Sequence, residues 1–353
     1  MERTSKKPPL KISTQIKNNS KKPITPPKEF DGDFGTIIST GSTLLDLAIS
    51  GTRVRGGGLP GGILVEIFGP SGAGKTVLLC EIAGAVQRQG GQIMFRDPEA
   101  RLDRLFAKIF DLIMETIEYD TPSTVPEVFT PIRKWEPEPK KAIHGIFADS
   151  LAALTTAMEA ENNDAYGMRR AKEFSEECRK TCRVIIDKNF LMVCSNQVRV
   201  NVGGGLFEAK YKTPGGEAIG FYASLRLKCS GGKKIKKEMK VAGKDIKRTI
   251  GITTEIEVFK SSVDKPFRTA PLTILFDYGI DDVRQNLQYL KDYTTNTSYC
   301  IGDRSLDKSL ETAIRMVEEQ GLENELREAV IDLWGEIEAK FDSNRKKKER
   351  GIL

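Results

Sequence analysis

The chain has 353 residues and a mass of 39.2 kDa, enough for one large domain or two modest ones. Hydrophobic residues make up 39%, which excludes collagen-like and fully disordered chains, and no apolar run reaches the roughly 18 residues of a membrane span. The net charge of +6 is uneven: residues 1–29, 225–250 and 344–353 carry +6, +8 and +4, and the remainder carries −12. The average therefore hides an acidic body with three basic segments.

Residues 1–33 are predicted to be a basic arm that is disordered in isolation, because lysine, proline, serine and threonine dominate it. From residue 34 short apolar runs alternate with helix-length segments. This alternation predicts an α/β fold over 34–280, a mostly parallel twisted sheet flanked by helices. The predicted buried strands are 63–68, 92–95, 143–148 and 190–194.

The following segment has a different pattern. Residues 221–229 and 251–260 are predicted strands, and Gly231-Gly232 with the lysine-rich stretch after it is predicted to join them into a basic β-hairpin over 225–260. A further strand is predicted at 271–276.

Residues 281–343 are predicted to be a small helical C-terminal region, because apolar residues recur there at helical spacing. Gly321 is predicted to separate two helices, and residues 344–353 form a basic tail.

A glycine-rich stretch between a predicted strand and a predicted helix matches the phosphate-loop pattern G-x-x-x-x-G-K-[ST]. Its backbone N–H groups and the helix N-terminus favour an anion. The lysine would reach the β- and γ-phosphates of a nucleotide, and the threonine hydroxyl would bind Mg²⁺. Its residues are Gly69, Pro70, Ser71, Gly72, Ala73, Gly74, Lys75 and Thr76.

Carboxylates follow two other predicted strands. Asp149 comes directly after 143–148, where a second Mg²⁺ ligand is needed; a helix N-cap is the alternative role for it. Glu99 follows the strand at 92–95 and is a candidate base for activating water, with Asp97 as its competitor.

The six cysteines are scattered, and only Cys178 and Cys182 lie one helical turn apart, in an apolar stripe. This pattern favours buried thiols over a metal site. Reduced thiols in turn favour a cytoplasmic protein. The lack of a long apolar run favours one that does not associate with a membrane.

Together these residues resemble the RecA family of DNA strand-exchange recombinases, from about residue 37 to 280. The order and spacing of several motifs match the family. They are Ile38-Ser-Thr-Gly-Ser42, Gly58-Leu-Pro-Gly-Gly-Ile63, the phosphate loop, Asp97-Pro-Glu-Ala-Arg-Leu-Asp103, Asp149-Ser-Leu-Ala-Ala-Leu154, Asn196-Gln-Val-Arg199, Thr213-Pro-Gly-Gly216 and Phe221-Tyr-Ala-Ser-Leu-Arg226.

The resemblance implies roles around ATP and Mg²⁺. Glu99 would be the catalytic glutamate, and Gln197 would sense the γ-phosphate. Asp103 and Phe106 would lie beside the adenine, with Phe276 against its other face. Lys260 would reach the ATP of a neighbouring subunit.

The resemblance also implies two DNA-binding loops. Residues 198–217 match the second loop, and the composition supports this match, because glycines, cations and aromatic rings alternate there. Residues 159–168 match the first loop by position, although acidic residues there would repel phosphates. The candidate DNA contacts are Tyr166, Arg169, Arg170, Arg199, Val202, Gly203, Gly204, Gly205, Phe207, Lys210, Tyr211, Lys212, Thr213, Gly215 and Gly216.

The sequence departs from the family at three places. Ser262 stands where a second lysine reaching across the subunit interface is expected, with Lys265 nearby, and Gly220 stands where bacterial RecA proteins have a lysine. A polymerisation helix is not evident in the N-terminal arm, where a segment near 24–30 could pair with a neighbour instead.

The sequence therefore predicts a DNA-dependent ATPase and recombinase of divergent, phage-like type. It would bind single-stranded and double-stranded DNA and self-associate into a helical filament or a ring. One alternative is a hexameric helicase or branch-migration motor of the same fold. The other is a slowly hydrolysing, nucleotide-gated DNA-binding mediator.

Overall fold

The structure is a computed structural model that describes residues 35–155, 167–200, 211–212, 218–343, 345–346 and 348. For residues 167–169, 199–200 and 211–212 it describes the backbone alone. The predicted N-terminal arm, 1–33, lies outside the described residues.

The described strands, in chain order, are β1 (Ile37–Ile38), β2 (Leu59–Pro60), β3 (Ile63–Gly69), β4 (Ile93–Arg96), β5 (Ile117–Asp120), β6 (Gly145–Ala148), β7 (Leu191–Gln197), β8 (Arg199–Val200), β9 (Tyr211–Lys212), β10 (Leu225–Cys229), β11 (Lys233–Val241), β12 (Lys244–Ser261), β13 (Thr269–Leu275), β14 (Gly279–Ile280), β15 (Cys300–Ile301) and β16 (Arg304–Ser305). The described helices are α1 (Thr43–Ser50), α2 (Lys75–Arg88), α3 (Arg104–Ile109), α4 (Val125–Lys134), α5 (Gly167–Asp187), α6 (Ala218–Tyr222), α7 (Asp282–Asp292), α8 (Leu310–Gln320) and α9 (Glu323–Lys340), with short 3₁₀ turns at Met114–Thr116 and Leu151–Ala153.

Ten of these strands form one sheet in the order β14-β13-β12-β10-β3-β7-β6-β4-β5, with β11 paired to the outer part of β12. The six strands from β10 to β5 run parallel to their neighbours, and the pairs among β10, β12, β13, β14 and β11 are antiparallel. Because the carboxyl ends of parallel strands lie at one edge, the segments that follow β3, β4, β6 and β7 meet there. The predicted α/β class is confirmed.

Two apolar layers cover the sheet. Strand β3 shows why: Val65 and Ile67 belong to the layer under α1 and α2, whereas Leu64 belongs to the layer under α4 and α5. This alternation is the period of two expected of a strand buried on both faces. Leu326 in α9 belongs to the same layer as Val65, so the C-terminal helices extend the main core.

The described C-terminal region contains helices α7, α8 and α9 and the short β15–β16 pair. Gly321 ends α8 with the left-handed φ of 63°, so it separates two helices as expected. No described helix combines the length and the apolar character that a membrane crossing needs.

The prediction of a strand over 221–229 was wrong at its start. Phe221 belongs to α6, which buries Ile219 and closes with a hydrogen bond from Ala223 N–H to the Ile219 carbonyl (2.8 Å), and the strand begins at Leu225. The strand propensity of Phe221 and Tyr222 was overridden by the burial of Ile219.

The predicted joining stretch was also wrong, because the lysines after Gly232 are themselves strand β11. The hairpin turn lies at Ala242 and Gly243, whose φ values of 48° and 81° match the two-residue turn with both central residues left-handed. This strand could not be predicted from the sequence, because its exposed residues lack the alternation of a half-buried strand.

Candidate nucleotide-binding site

The phosphate loop connects β3 to α2 as predicted. Gly72 and Gly74 have φ values of 73° and 85°, which glycine adopts without a steric penalty. A Cβ atom on Gly74 would lie 2.3 Å from Ile274 Cδ1, so a side chain there would also displace the end of the Ile274 side chain. The loop therefore turns tightly into the N-terminus of α2.

Lys75 begins α2 and is buried. Its Nζ donates hydrogen bonds to the carbonyls of Gly69 (3.1 Å) and Pro70 (2.8 Å), which fixes the ammonium group against the loop. Burial lowers the pKa of Lys75, whereas the carboxylates of Asp149 and Glu99 act in the opposite direction. The group is a positive charge held inside a tight anion-binding turn.

Asp149 follows β6 and contacts the phosphate loop. Its carboxylate accepts hydrogen bonds from the hydroxyls of Ser195 and Thr76. Burial raises the pKa of Asp149, and these two hydrogen bonds oppose the rise. A carboxylate beside a hydroxyl is the oxygen donor set that Mg²⁺ prefers, so Thr76 and Asp149 fit a Mg²⁺ site.

Glu99 and Asp97 have separate roles. The buried Asp97 accepts hydrogen bonds from the backbone N–H groups of Arg101 (2.7 Å) and Leu102 (2.8 Å) and fixes the turn after β4. Glu99 lies in that turn, accepts a hydrogen bond from Ser150 Oγ (2.8 Å) and faces the cavity beside the phosphate loop. Of the two competing carboxylates, Glu99 is the one placed to act on a ligand.

Gln197 is the last residue of β7 and pairs in register with Gly69 at the end of β3. This register places a side-chain amide next to the phosphate loop. Together these segments enclose a cavity of about 300 Å³. Its described lining residues are Ser71, Gly72, Gly74, Lys75, Thr76, Val77, Glu99, Arg101, Asp149, Ser150, Ser195, Gln197, Ile252, Ile274 and Phe276.

Three residues predicted near the adenine are not brought together. Phe276 lines the cavity, but Asp103 and Phe106 are not among its described lining residues. Asp103 caps α3 by accepting hydrogen bonds from the N–H groups of Leu105 and Phe106, both at 2.8 Å. Phe106 packs edge-on against the Phe110 ring, with centroids 5.0 Å apart.

Lys260 lies away from this cavity. Its Nζ donates to the carbonyls of Gly220 (3.0 Å) and Phe221 (2.8 Å), and burial, together with nearby Arg226, lowers the pKa of Lys260. Ser262 is exposed, and Lys265 forms an ion pair with Asp342 (3.8 Å).

The glycine at 220 has a local explanation. A Cβ atom there would lie 2.8 Å from Cζ of Arg226. That guanidinium donates to the fully buried Glu66 (2.7 Å) and lies 4.5 Å from the centroid of the Phe68 ring. Arg226 therefore uses the space that any larger residue at 220 would need.

Few of the predicted DNA contacts can be placed. Arg170 donates to the carbonyls of Leu151 (3.2 Å) and Ala152 (2.8 Å) and lies 6.0 Å from the Phe174 ring centroid. The backbones of β8 and β9 pair Arg199 with Lys212 across the base of the second predicted loop. The side chains of Arg169, Arg199, Tyr211 and Lys212 lie outside the described residues, as do Tyr166, Val202, Gly203, Gly204, Gly205, Phe207, Lys210, Thr213, Gly215 and Gly216.

Three polar side chains of the cavity were not predicted from the sequence: Ser150, Ser195 and Arg101. The two serines follow or end predicted buried strands, so the rule that strand ends carry ligand contacts could have found them. Arg101 lies two residues after Glu99 in the turn that Asp97 fixes, and no sequence pattern marked it as a cavity residue.

Comparisons with known proteins agree with this geometry. A family model described as the RecA N-terminal domain matches residues 27–281, more than half of the chain. The RecA protein of one Thermus thermophilus strain is 31% identical over 311 residues, covering 85% of this chain and 86% of its own. A second RecA protein of Thermus thermophilus is 34% identical over 252 residues (70% and 69%), and that of Delftia acidovorans is 33% identical over 246 residues (69% and 63%). The chain belongs to the RecA family.

Proposed function

We propose that the chain is a DNA-dependent ATPase that assembles on single-stranded DNA and promotes homologous pairing and strand exchange in recombination and repair. Family membership carries the coarser statement, a recombinase that binds DNA and hydrolyses ATP with Mg²⁺. One observation carries the nucleotide part of the proposal. Lys75, Thr76, Asp149, Glu99 and Gln197 line one cavity at the carboxyl edge of the parallel strands.

Each of these residues has a role that follows from its contacts. Lys75 and the loop N–H groups bind the phosphates, and Thr76 and Asp149 would hold Mg²⁺. When bound, this ion neutralises charge on the β- and γ-phosphates. Glu99 is oriented by Ser150 and accepts a proton from the attacking water, and Gln197 contacts the γ-phosphate from the end of β7.

The DNA part of the proposal depends on the loops at 159–168 and 198–217 and on the basic segments. The second loop begins directly after Gln197, so a contact between this amide and phosphate has a short covalent route into the loop. The hairpin of β11 and β12 carries eight exposed cations that are suited to capturing duplex DNA. Self-association in a filament or ring would order many such sites along one DNA molecule.

Two other activities fit the same cavity. A hexameric helicase or branch-migration motor would form closed rings and translocate without making joint molecules. A nucleotide-gated mediator would bind DNA but hydrolyse ATP slowly, and the position of Glu99 in the cavity favours hydrolysis over this second alternative.

A strand-exchange assay with electron microscopy of the ATP-bound complexes tests the proposal. The native chain is expected to form filaments and joint molecules, and Lys75→Ala is expected to abolish both together with ATP hydrolysis. Lys108→Ala, at an exposed position of α3, is the control and should behave like the native chain. Closed rings without joint molecules would favour the motor, and undiminished hydrolysis by Lys75→Ala would refute the site.

A further inference from the structure

Arg101 pairs with the candidate catalytic carboxylate. Its Nη2 lies 2.5 Å from Oε2 of Glu99, whose other oxygen accepts the hydrogen bond from Ser150. The side chain of Arg101 is 64% exposed, whereas that of Glu99 is 15% exposed. Glu99 is therefore held through one oxygen by the buried Ser150 and through the other by Arg101, whose side chain reaches solvent.

The turn that carries Glu99 and Arg101 is held in place by the carboxylate of Asp97. The Asp97 carboxylate binds the N–H groups of Arg101 and Leu102 and also accepts a hydrogen bond from the Tyr119 hydroxyl (2.9 Å). Ala100 between the pair has a φ of 51°, a left-handed conformation that is uncommon for residues other than glycine. The backbone thus directs Glu99 and Arg101 into the same cavity.

In this cavity a bound phosphate would compete with the Glu99 carboxylate for Arg101. Its described lining includes two carboxylates, Glu99 and Asp149, and two cations, Lys75 and Arg101. Lys75 is buried and bound to loop carbonyls, so Arg101 is the cation that retains freedom to change partners. A phosphate group carries more charge than a carboxylate and accepts the same forked pair of N–H donors.

We propose that Arg101 is a positioning residue that holds Glu99 through an ion pair and exchanges this carboxylate for the terminal phosphate of a bound nucleoside triphosphate. The exchange frees one oxygen of Glu99 while Ser150 keeps the other in place. A diphosphate ends one group earlier and leaves the ion pair intact. Arg101 then distinguishes triphosphate from diphosphate, an inference that relies on the proposed nucleotide site.

A double-mutant cycle tests the exchange by binding alone. Affinities for ADP and for a non-hydrolysable ATP analogue are measured by calorimetry with Mg²⁺ for the native chain, Arg101→Ala, Glu99→Gln and the double variant. Arg101→Ala is expected to weaken the analogue about 5-fold and ADP less than about 2-fold, because the native arginine must release the Glu99 carboxylate before it can bind the phosphate. In the Glu99→Gln background, Arg101→Ala should weaken the binding of the analogue about 20-fold or more, since the arginine there has no ion pair to break before it binds the phosphate.

Two further variants make the result specific. Arg101→Lys keeps the charge without the fork and should retain part of the preference for triphosphate. Arg104→Ala removes an arginine that is 79% exposed and lies 3.7 Å from Glu115, and it should leave both affinities unchanged. This control measures the general effect of removing one nearby positive charge.

Equal losses for both nucleotides, or equal losses in the two backgrounds, would overturn the exchange and leave Arg101 a general electrostatic residue. The cycle also separates this failure from a failure of the proposed function. If Lys75→Ala abolishes binding while Arg101→Ala changes nothing, the nucleotide site stands and only the exchange is wrong. If the native chain binds neither nucleotide, both are wrong.

Discussion

The parallel and antiparallel halves of the sheet hold their charged groups in opposite ways. At the carboxyl edge of the parallel half, Lys75 is held by carbonyls of the phosphate loop, and Asp149 is held by the hydroxyls of Ser195 and Thr76. In the antiparallel half, the hairpin of β11 and β12 extends its lysines into solvent. Charges in the first region are fixed so that each can act on one atom of a ligand. Those in the second region act together through their long-range electrostatic field.

The two faces of the hairpin differ as well. Cross-strand pairs place Lys237 opposite Arg248 and Val241 opposite Lys244 on one face, which has no acidic residue. Like charges directly opposite each other destabilise a hairpin, so folding alone does not account for this face. The other face includes Glu238, which pairs with Lys247 (3.0 Å), and is closer to neutral.

The largest effect is expected from breaking the enclosed region. Asp149→Asn removes a proposed Mg²⁺ ligand and leaves the Ser195 hydroxyl without its charged partner, so we expect ATP hydrolysis to fall about 10²–10³-fold. Steady-state hydrolysis across a Mg²⁺ titration measures it. Asp187→Asn, an exposed carboxylate at the end of α5, is the control, and an unchanged Mg²⁺ dependence in Asp149→Asn would show that the carboxylate is not a metal ligand.

Duplex DNA binding by the hairpin of β11 and β12 should depend on the charge of its side chains and not on their shape. Replacing Lys237, Lys244 and Arg248 by Gln removes three cations from the acid-free face and should reduce the salt slope of duplex DNA binding by about 2.7, with roughly tenfold weaker binding at moderate salt. Fluorescence anisotropy across a salt series measures the slope.

The other face supplies a matched control. Replacing Lys236, Lys240 and Lys247 by Gln removes the same charge, but Glu238 and Asp245 on that face already offset part of it. A smaller loss is therefore expected. Equal losses would show that the hairpin acts only through its net charge, and no loss from either triple variant would remove it from the DNA-binding surface.

The same contrast explains which features the sequence predicted. The phosphate loop, Asp149 and Gln197 were predictable because each follows a buried apolar strand, and strand order then brings them together. The pairing of Glu99 with Arg101 was not, because it depends on the left-handed turn at Ala100 and on Asp97 beneath it. Strand β11 was missed because exposure on both faces removes the periodic apolar signal.

Buried charge also predicts how stability changes with pH. Asp46 in α1 is fully buried, and burial raises its pKa from 3.8 to about 7 despite hydrogen bonds from Ser39 and Thr40. The folded chain therefore binds this proton more tightly than the unfolded chain, and the stability it contributes is complete below about pH 4 and is lost as the pH rises through about 7.

Asp46→Asn cannot titrate, so the difference in unfolding free energy between it and the native chain should change with pH by up to about 1.4 kcal/mol per unit between pH 4 and 7. Urea unfolding at several pH values in this window measures the difference. Parallel curves for the two proteins would show that the carboxyl group keeps one protonation state throughout.

Gly220 joins the two regions, because the Arg226 that it accommodates lies on β10, where parallel and antiparallel pairing meet. Replacing a helical glycine by alanine normally stabilises by about 0.5–1 kcal/mol. Here the added Cβ would push the guanidinium away from Glu66, which is fully buried and would retain only the Asn196 amide as its described hydrogen-bond donor (3.0 Å). Leaving a buried carboxylate poorly paired costs more than the helix gains.

Gly220→Ala is therefore expected to destabilise the chain by about 1–2 kcal/mol. The sign of the change shows whether the lost contact between Arg226 and Glu66 outweighs the gain in helix propensity. Gly335→Ala in α9 is the matched control: its added Cβ meets no atom within 4 Å, and it should stabilise by about 0.5–1 kcal/mol. Urea unfolding of both variants measures the two signs. Stabilisation by both would mean that Arg226 moves aside at little cost, and the glycine at 220 would then need an explanation outside the folded protomer, at the contact between subunits.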